Sequence, residues 1–222
     1  MPRVNIMKDL LQANVGVAAQ LRAHFAEEGT LVLNLIASPG AGKTSLLEQT
    51  VAALKGEFAV GVVEGDLATS LDAERIARHG VPAVQINTDG GCHLEVQQVV
   101  DALDRLSAGR LDLVLVENVG NLVCPTSFDL GEDLKVVVVS LTEGDDKPLK
   151  YPGAFTSAGA FVINKIDLAP YLPARIEALR ANALTINPNL TVFEVSCTTG
   201  AGIDAWLGWL RAQAQAKRAR RA

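Results

Sequence analysis

TLVLNLIASPGAGKTSLLEQT, residues 30–50, is the stretch of sequence that decides the fold, because it joins an apolar segment, a glycine-containing loop and a helical pattern. Gly40 and Gly42 let the loop turn its backbone N–H groups toward phosphate oxygens, and the start of the following helix adds its dipole. Lys43 would reach the terminal phosphates of a nucleotide, and Thr44 would offer its hydroxyl to Mg²⁺. We therefore predict a phosphate-binding loop that contacts nucleotide through Gly40, Ala41, Gly42, Lys43, Thr44 and Ser45.

Ala37 stands where the phosphate-loop pattern G-x-x-x-x-G-K-[ST] usually begins with glycine. An alanine there adds only a methyl group at the last position of the strand, so the loop can keep its conformation. The alternative interpretation is a glycine-rich turn that binds no ligand. That alternative is disfavoured because the strand, the spacing and the helix occur together.

On either side of this stretch, short apolar runs alternate with helical patterns, which indicates βα units and a parallel sheet. The predicted strands are TLVLNLIA, FAVGVVE, PAVQIN, LDLVLVE, LKVVVVSL, GAFVINK and LTVFEV. Several of them are almost continuously apolar, as burial on both faces requires. We predict an α/β fold of the P-loop NTPase type: a doubly wound, mostly parallel sheet of about seven strands flanked by helices. One late helix is predicted from Leu172 to about Leu184 and another through Trp206 and Trp209.

The N-terminal segment reads as an amphipathic helix over residues 5–28 that stops at Gly29. Its apolar positions at helical spacing are Ile6, Leu10, Val17, Leu21 and Phe25. We predict that residues 1–29 form this extra helix and that residues 30–222 form one globular P-loop domain.

The composition excludes some classes of protein. Hydrophobic residues make up 49% and charged residues 20% of the 222, so a packed core is expected. The net charge of −5 argues against a general nucleic-acid binder. The sequence has neither a run of about 18 apolar residues nor a secretory signal, so we expect no membrane association and a cytoplasmic protein. Three cysteines far apart do not suggest a disulfide framework.

Two further motifs indicate which base is bound. NKID, residues 164–167, follows a predicted strand, and the Asp167 carboxylate can accept hydrogen bonds from N1–H and the amino group of guanine, which adenine does not offer. Lys165 can lay its methylene stem over the base. SCTTG, residues 196–200, would present backbone N–H groups to the guanine oxygen. The predicted base contacts are Asn164, Lys165, Asp167, Ser196, Cys197 and Thr198. The alternative for NKID is an ordinary helix-capping turn.

Thr44 alone cannot complete the octahedral shell of Mg²⁺, so carboxylates are expected at neighbouring strand ends. We assign Mg²⁺ to Thr44, Asp66 and Glu117, and expect Lys43, Asp66 and Asp72 to serve catalysis. Asp72 would orient the attacking water. Its alternative role is that of an acidic residue in the first turn of a helix, which is favourable without any ligand.

Cys92, His93 and Cys124 are candidate ligands for Ni²⁺ or Zn²⁺, which thiolates and imidazoles suit. We expect Cys92 and His93 at the start of a helix, where the dipole would lower the pKa of the thiol. Because one chain offers only three ligands, water or a second chain must complete the site. Two copies of Cys92 and His93 about a twofold axis would supply four. The alternative is a buried thiol beside a capping histidine. Cys197 is predicted to have no metal ligand role.

Together these residues resemble the HypB family of hydrogenase nickel-incorporation GTPases. The segments that carry the resemblance are ASPGAGKTSLLEQT, EGDLATSLDAERI, NTDGGCHLE, LVLVENVGNLVCPTSFDLGE, VVVVSLTEGDDKPLKYP, NKIDL and SCTTGAGID. The resemblance implies a slow, Mg²⁺-dependent GTPase that dimerises through its nucleotide face. It also implies a GTP cycle that governs nickel delivery to a [NiFe]-hydrogenase precursor, with the small metallochaperone HypA as partner at the N-terminal helix.

The sequence also departs from some relatives in this family. MPRVNIMKDLL contains no cysteine and the chain has three histidines, so we expect neither a separate N-terminal nickel site nor a histidine-rich nickel store. Lys147 and Lys150 are candidates to reach the nucleotide of a second subunit, the alternative being ordinary solvated lysines.

Two other functions compete with this interpretation. The urease accessory GTPase is similar around the phosphate loop, but that family tends to place a proline between its metal-binding cysteine and histidine, and GCH has none. The second competing function is that of a passive nickel- or zinc-binding protein with a vestigial nucleotide site. The intact Lys43, Thr44, Asn164 and Asp167 argue against it.

Overall fold

The computed structural model describes residues 6–66, 71–106 and 109–221, and the side chains of residues 6–13 lie outside that description. The strands within these ranges are β1 (Leu31–Ala37), β2 (Val60–Asp66), β3 (Ala83–Asn87), β4 (Leu113–Glu117), β5 (Leu134–Ser140), β6 (Ala160–Asn164) and β7 (Thr191–Glu194). They form one sheet in the order β3-β2-β4-β1-β5-β6-β7, and every neighbouring pair is parallel. The predicted doubly wound sheet of about seven strands is confirmed, and in these ranges it is entirely parallel.

Helices cover both faces of the sheet. In the described ranges they are α1 (Ile6–Glu28), α2 (Lys43–Leu54), α3 (Leu71–Ala77), α4 (Val96–Arg105), α5 (Lys147–Lys150), α6 (Pro152–Thr156), α7 (Ile176–Ile186) and α8 (Ile203–Ala219). Short 3₁₀ turns occupy Cys124–Thr126, Leu141–Glu143 and Ile166–Tyr171. This layering explains why β1 is buried along its whole length.

The helices α2 and α8 pack together over one face of the sheet. Trp206 of α8 is fully buried in the core, where its indole N–H donates a hydrogen bond of 2.9 Å to the hydroxyl of Thr50 on α2. Burial of a tryptophan is favourable when its polar N–H is satisfied in this way. The contact fixes α2, and therefore the phosphate loop that precedes it.

The helix α1 packs beside α4 on the opposite face. Phe25 is buried there, and Val17 and Leu21 are partly buried against the same cluster of apolar side chains. The predicted apolar stripe of α1 therefore lies against the sheet at these three positions, whereas Ile6 and Leu10 belong to the side chains outside the described residues. The boundary at residue 29 between a helix and a GTPase domain stays a prediction.

The helix predicted from Leu172 begins four residues later, at Ile176. Pro173 disfavours the helical conformation for the residue before it, and Arg175 is extended with φ of −113°. The sequence analysis also missed α5 and α6, two short helices that each have a proline in the first turn. These segments are too short for a periodic apolar pattern to reveal them.

None of the helices in the described part of the chain combines the length and the apolar character that crossing a bilayer would need.

Candidate functional site

The phosphate loop joins the carboxyl end of β1, a central strand, to α2. Gly42 precedes the helix with φ of 95°, a conformation that favours glycine. A Cβ atom at residue 42 would also lie 2.3 Å from Nδ2 of Asn164. Glycine is therefore required here by both the backbone angle and the neighbouring side chain, as the sequence pattern predicts.

A cavity of about 450 Å³ opens over this loop. Its walls come from the phosphate loop, the end of β2, the start of α3, the loop after β4 and Lys165. Gly120 in the loop after β4 allows a close approach, because a Cβ there would lie 3.0 Å from Pro39. The carboxyl ends of adjacent parallel strands thus meet at one edge, where doubly wound sheets bind their ligands.

The hydroxyl of Thr44 donates a hydrogen bond of 3.0 Å to Oε1 of Glu117, the last residue of β4. The ammonium of Lys43 lies 3.9 Å from the same oxygen. All three side chains are buried. The structure therefore brings together Lys43, Thr44 and Glu117 at the place where the sequence predicts the terminal phosphates and Mg²⁺.

Glu64 is a buried carboxyl that the sequence analysis missed. It lies opposite Glu117 in the register of β2 and β4, is 1% exposed, and has the Glu117 carboxyl as a neighbour. Burial and the neighbouring Glu117 raise the pKa of Glu64 well above its usual range. Burial also raises the pKa of Glu117, against the opposing effect of Lys43. The sequence did contain a signal for this residue, because Glu64 is a charged residue within the otherwise apolar strand VGVVEGD.

Each carboxyl of this pair has one oxygen to consider, Glu64 Oε1 and Glu117 Oε2. Both are buried, and neither has a hydrogen-bond partner among the described residues. Carboxylate oxygens beside a threonine hydroxyl are the donors that Mg²⁺ prefers. The residues present therefore fit the expected cation.

Asp66 and Asp72 both line the cavity, as predicted, from the end of β2 and the first turn of α3. The carboxylate of Asp72 accepts a 3.1 Å hydrogen bond from Arg75, whose guanidinium also contacts Glu48 on α2. Arg75 was not singled out by the sequence analysis. Because its partners lie on two helices, it ties the predicted water-orienting residue to α2.

On the other side of the loop, Asn164 connects the three nucleotide motifs. Its Nδ2 donates a 3.0 Å hydrogen bond to the carbonyl of Ala41, and its Oδ1 accepts one of 3.4 Å from the backbone of Cys197. Lys165, at φ of 61°, donates a 2.7 Å hydrogen bond to the carbonyl of Gly40. The asparagine therefore positions the phosphate loop, NKID and SCTTG relative to one another.

The base-binding candidates lie on adjacent segments after β6 and β7. Asp167 is the second residue of the 3₁₀ turn that follows Lys165, and its Oδ1 is buried with no partner among the described residues. The hydroxyl of Ser196 accepts a hydrogen bond of 3.1 Å from the backbone of Thr199, while Thr198 is exposed. A carboxylate oxygen that is buried and unsatisfied within its own chain is suited to a ligand that donates hydrogen bonds.

The thiol of Cys197 is expected to react slowly with alkylating reagents. Burial raises its pKa to about 11, so at pH 8 only roughly one thiol in a thousand is the reactive thiolate. Cys92 is exposed and is expected to react first. Timed iodoacetamide labelling followed by peptide mass spectrometry measures both rates. Equal labelling rates at the two positions would contradict the raised pKa of the partly buried Cys197.

Cys92, His93 and Cys124 converge beside the cavity, as the sequence predicts. One ligand atom from each side chain lies within 4.8 Å of the other two, and Sγ of Cys92 is 3.5 Å from Nδ1 of His93. Burial lowers the pKa of His93, which favours the neutral imidazole that metals bind. The cluster has the donor set of a soft divalent metal with a position left for a further ligand.

The expectation that Cys92 begins a helix was wrong. Cys92 and His93 lie in the loop before α4, which starts at Val96 with Glu95 as its N-cap. The neighbouring Cys124 thiol and burial raise the pKa of Cys92, which is opposite to the predicted direction. From the pattern HLEVQQ the helix was expected to begin at residue 93, three residues before its observed start. The reason is that Glu95 is a capping residue and not part of the helix.

Three side chains hold the loop that carries Cys92 and His93. The ring of His93 stacks on Phe128 with centroids 3.7 Å apart. The amide of Asn121 donates a 3.3 Å hydrogen bond to the carbonyl of Cys92. Asn118, which lines the cavity, accepts a 3.1 Å hydrogen bond from the backbone of Leu94. The loop that carries the metal cluster is therefore attached directly to the wall of the cavity.

Lys147 contacts the phosphate loop of its own chain. Its ammonium lies 3.2 Å from the hydroxyl of Ser38 and 3.1 Å from the carboxylate of Glu143. Lys150 is more exposed and pairs with Asp146 at 2.6 Å. Lys147 thus lies beside the phosphate loop of its own chain, whereas its predicted reach to a second subunit stays a prediction.

The chain matches the family model described as the CobW/HypB/UreG nucleotide-binding domain over residues 31–194. It is 49% identical over 205 residues to the hydrogenase maturation factor HypB of Escherichia coli K12, covering 92% of this chain and 71% of that protein.

Two solved structures are similar over almost their whole length. HypB of Archaeoglobus fulgidus is 39% identical with a TM-score of 0.86, covering 91% of this chain and 99% of that chain. HypB of Helicobacter pylori, solved in complex with nickel, is 37% identical with a TM-score of 0.87, covering 93% of this chain and 97% of that chain. At these identities the similarity extends beyond the fold.

Proposed function

The chain belongs to the CobW/HypB/UreG family, among the HypB hydrogenase maturation factors, and from that premise we propose that it is a GTP-hydrolysing metallochaperone switch. It delivers nickel to a [NiFe]-hydrogenase precursor or helps to insert it. One observation carries the proposal. The loops after β3 and β4 hold the Cys92–His93–Cys124 cluster, and the same loop after β4 forms part of the nucleotide cavity.

The base chemistry supports GTP as the nucleotide. The buried, unsatisfied Oδ1 of Asp167 matches a base that donates hydrogen bonds from N1 and its amino group. Asn164 holds the segment that carries Asp167 against the phosphate loop. The loop that contains Ser196, Cys197 and Thr198 would present backbone N–H groups to the guanine oxygen.

Hydrolysis requires in-line attack of water on the terminal phosphate with stabilisation of the developing charge. Thr44, Asp66 and Glu117 would hold Mg²⁺, which when bound neutralises phosphate charge. Lys43 contributes a buried positive charge at the same point, and backbone N–H groups of the loop orient the phosphates. Asp72, held by Arg75, orients the attacking water.

Nickel is the cargo, and Zn²⁺ is its competitor for the same ligands. Three ligands in one chain leave the site open, so a second copy of the chain that contributes Cys92 and His93 would complete it. We propose a homodimer promoted by GTP and metal, formed through the nucleotide face. HypA and the hydrogenase large-subunit precursor are the proposed partners, in the cytoplasm.

Nickel stoichiometry is expected to depend on the nucleotide and on Cys92. With a non-hydrolysable GTP analogue, the wild-type chain is expected to bind close to one Ni²⁺ per two chains, because two half-sites meet in the dimer. With GDP the stoichiometry or affinity is expected to differ, and Cys92→Ala is expected to abolish binding. Equilibrium dialysis measures all of these.

Cys197→Ala is the matched control, since it also removes one thiol, lies outside the cluster, and keeps the backbone N–H through which residue 197 would contact the base. It is expected to bind nickel as the wild type does. Nickel binding that ignores both the nucleotide and Cys92 would leave the GTPase assignment standing and would rule out the nickel switch.

A further inference from the structure

Asn14 on α1 is a buried side chain that joins two distant segments of the chain. Its Nδ2 donates a hydrogen bond of 2.6 Å to the carbonyl of Asp129, and its Oδ1 accepts one of 3.3 Å from the backbone N–H of Val96. The side chain is 9% exposed. A buried amide that satisfies two backbone groups at once fixes the distance between them.

The two segments that Asn14 joins are those that carry the metal cluster. Val96 lies three residues after His93 and begins α4. Asp129 directly follows Phe128, whose ring stacks on His93, and lies five residues after Cys124. The helix α1 therefore contacts both of the segments that carry the cluster.

A second side chain of α1 reinforces the contact with the Cys124 half. Arg22 hydrogen bonds to the carboxylate of Asp129 and donates a further bond of 3.2 Å to the carbonyl of Glu132. Gly131, at φ of 78°, packs closely on the helix, since a Cβ there would lie 3.1 Å from the carbonyl of Ala18. The turn at residues 129–132 is therefore held against α1 by hydrogen bonds and by close packing.

We propose that Asn14 is a positioning residue for the Cys92–His93–Cys124 metal site, and that the contacts of α1 with the two segments carrying these ligands set the metal affinity of that site. The inference rests on the proposed metal-binding function. It assigns to α1 a role that no local motif indicates. The side-chain amide of Asn14 fixes the position of the loop before α4 relative to the segment that carries Phe128. Loss of the amide would let the two segments shift independently, so the imidazole and the two thiols would no longer be held at one spacing.

The test compares Asn14→Ala with Asn182→Ala in the full chain. Asn182 is a matched control because its amide also donates to a backbone carbonyl, that of Asp145, at 2.8 Å, and is half-buried away from the cluster. Ni²⁺ affinity is measured by competition with a chromophoric chelator, and the thiolate-to-nickel charge-transfer absorption is recorded. For Asn14→Ala we expect affinity to fall by roughly 10- to 100-fold, as for residues that orient metal ligands, with a changed absorption. Asn182→Ala is expected to keep both wild-type values.

Arg22→Gln provides a second variant that does not depend on a buried position, because this arginine is 41% exposed. We expect it to weaken Ni²⁺ binding in the same direction but less. Wild-type affinity and absorption in both Asn14→Ala and Arg22→Gln would overturn the positioning role. Failure of the wild type to bind Ni²⁺, or full binding by Cys92→Ala, would instead overturn the proposed metal site, and the role of Asn14 with it.

Discussion

Asp167→Asn is expected to weaken GDP binding on the order of 10²-fold or more and to create affinity for xanthosine diphosphate. The carboxylate of Asp167 would accept two charge-assisted hydrogen bonds from guanine, each worth about 1.5–3 kcal/mol. An asparagine amide keeps one acceptor and turns the other into a donor. Xanthine carries a carbonyl oxygen where guanine has its amino group, so the new donor matches it. Equilibrium binding of the two diphosphates measures the exchange.

Asp204→Asn is the matched control for this substitution, because it makes the same chemical change in the first turn of α8, outside the base-binding segments. It is expected to leave GDP affinity unchanged. If Asp167→Asn kept wild-type GDP affinity and ignored the xanthine nucleotide, the assignment of NKID as the guanine-binding motif would be wrong.

The phosphate and base motifs could be predicted from sequence because each is a local stretch whose backbone conformation and chemistry are set by adjacent residues. Gly42 has the left-handed conformation that the pattern requires, and Asp167 is in place one residue into a turn. The sheet could be predicted for the same reason, since each strand is an apolar run of its own. The register between strands could not, and that register puts Glu64 opposite Glu117.

Contacts between distant segments account for the other residues that were missed. Asn14 and Val96 are 82 positions apart, and Arg75 and Glu48 are 27 apart. No periodicity within α1 or α3 reveals such pairs, because they depend on how the helices cross. The error at Cys92 has another cause. A capping glutamate and the apolar residues after it look like a continuous helix in sequence, although the chain before Glu95 forms a loop.

The cavity and the metal cluster share their supporting residues. Asn118 lines the cavity and accepts a hydrogen bond from the backbone N–H of Leu94. The side chain of Asn121 donates a hydrogen bond to the carbonyl of Cys92, and its backbone pairs with Ala37 at the end of β1. A ligand that repositions the loop after β4 would therefore act on both sites through hydrogen bonds already in place. Such a shared loop is the kind of two-state element that a nucleotide-dependent switch requires.

Lys43→Ala is expected to reduce the rate of GTP hydrolysis on the order of 10²- to 10³-fold, the usual loss when one buried group that stabilises transition-state charge is removed. The ammonium of Lys43 is 7% exposed and lies 3.9 Å from Glu117, so solvent cannot replace it. Phosphate release under single-turnover conditions with Mg²⁺ measures the rate.

Lys55→Ala tests whether the loss reflects chemistry or merely damage to α2. Lys55 lies just past the other end of this helix and donates a 2.6 Å hydrogen bond to the carbonyl of His79, far from the phosphate loop. Its substitution removes the same charge and is expected to leave hydrolysis unchanged. Turnover in the wild type that Lys43→Ala eliminates would exclude a passive metal-binding protein with a vestigial nucleotide site. Equal rates in wild type, Lys43→Ala and Lys55→Ala would refute the catalytic role, because hydrolysis would then not depend on the buried charge that the phosphate loop supplies.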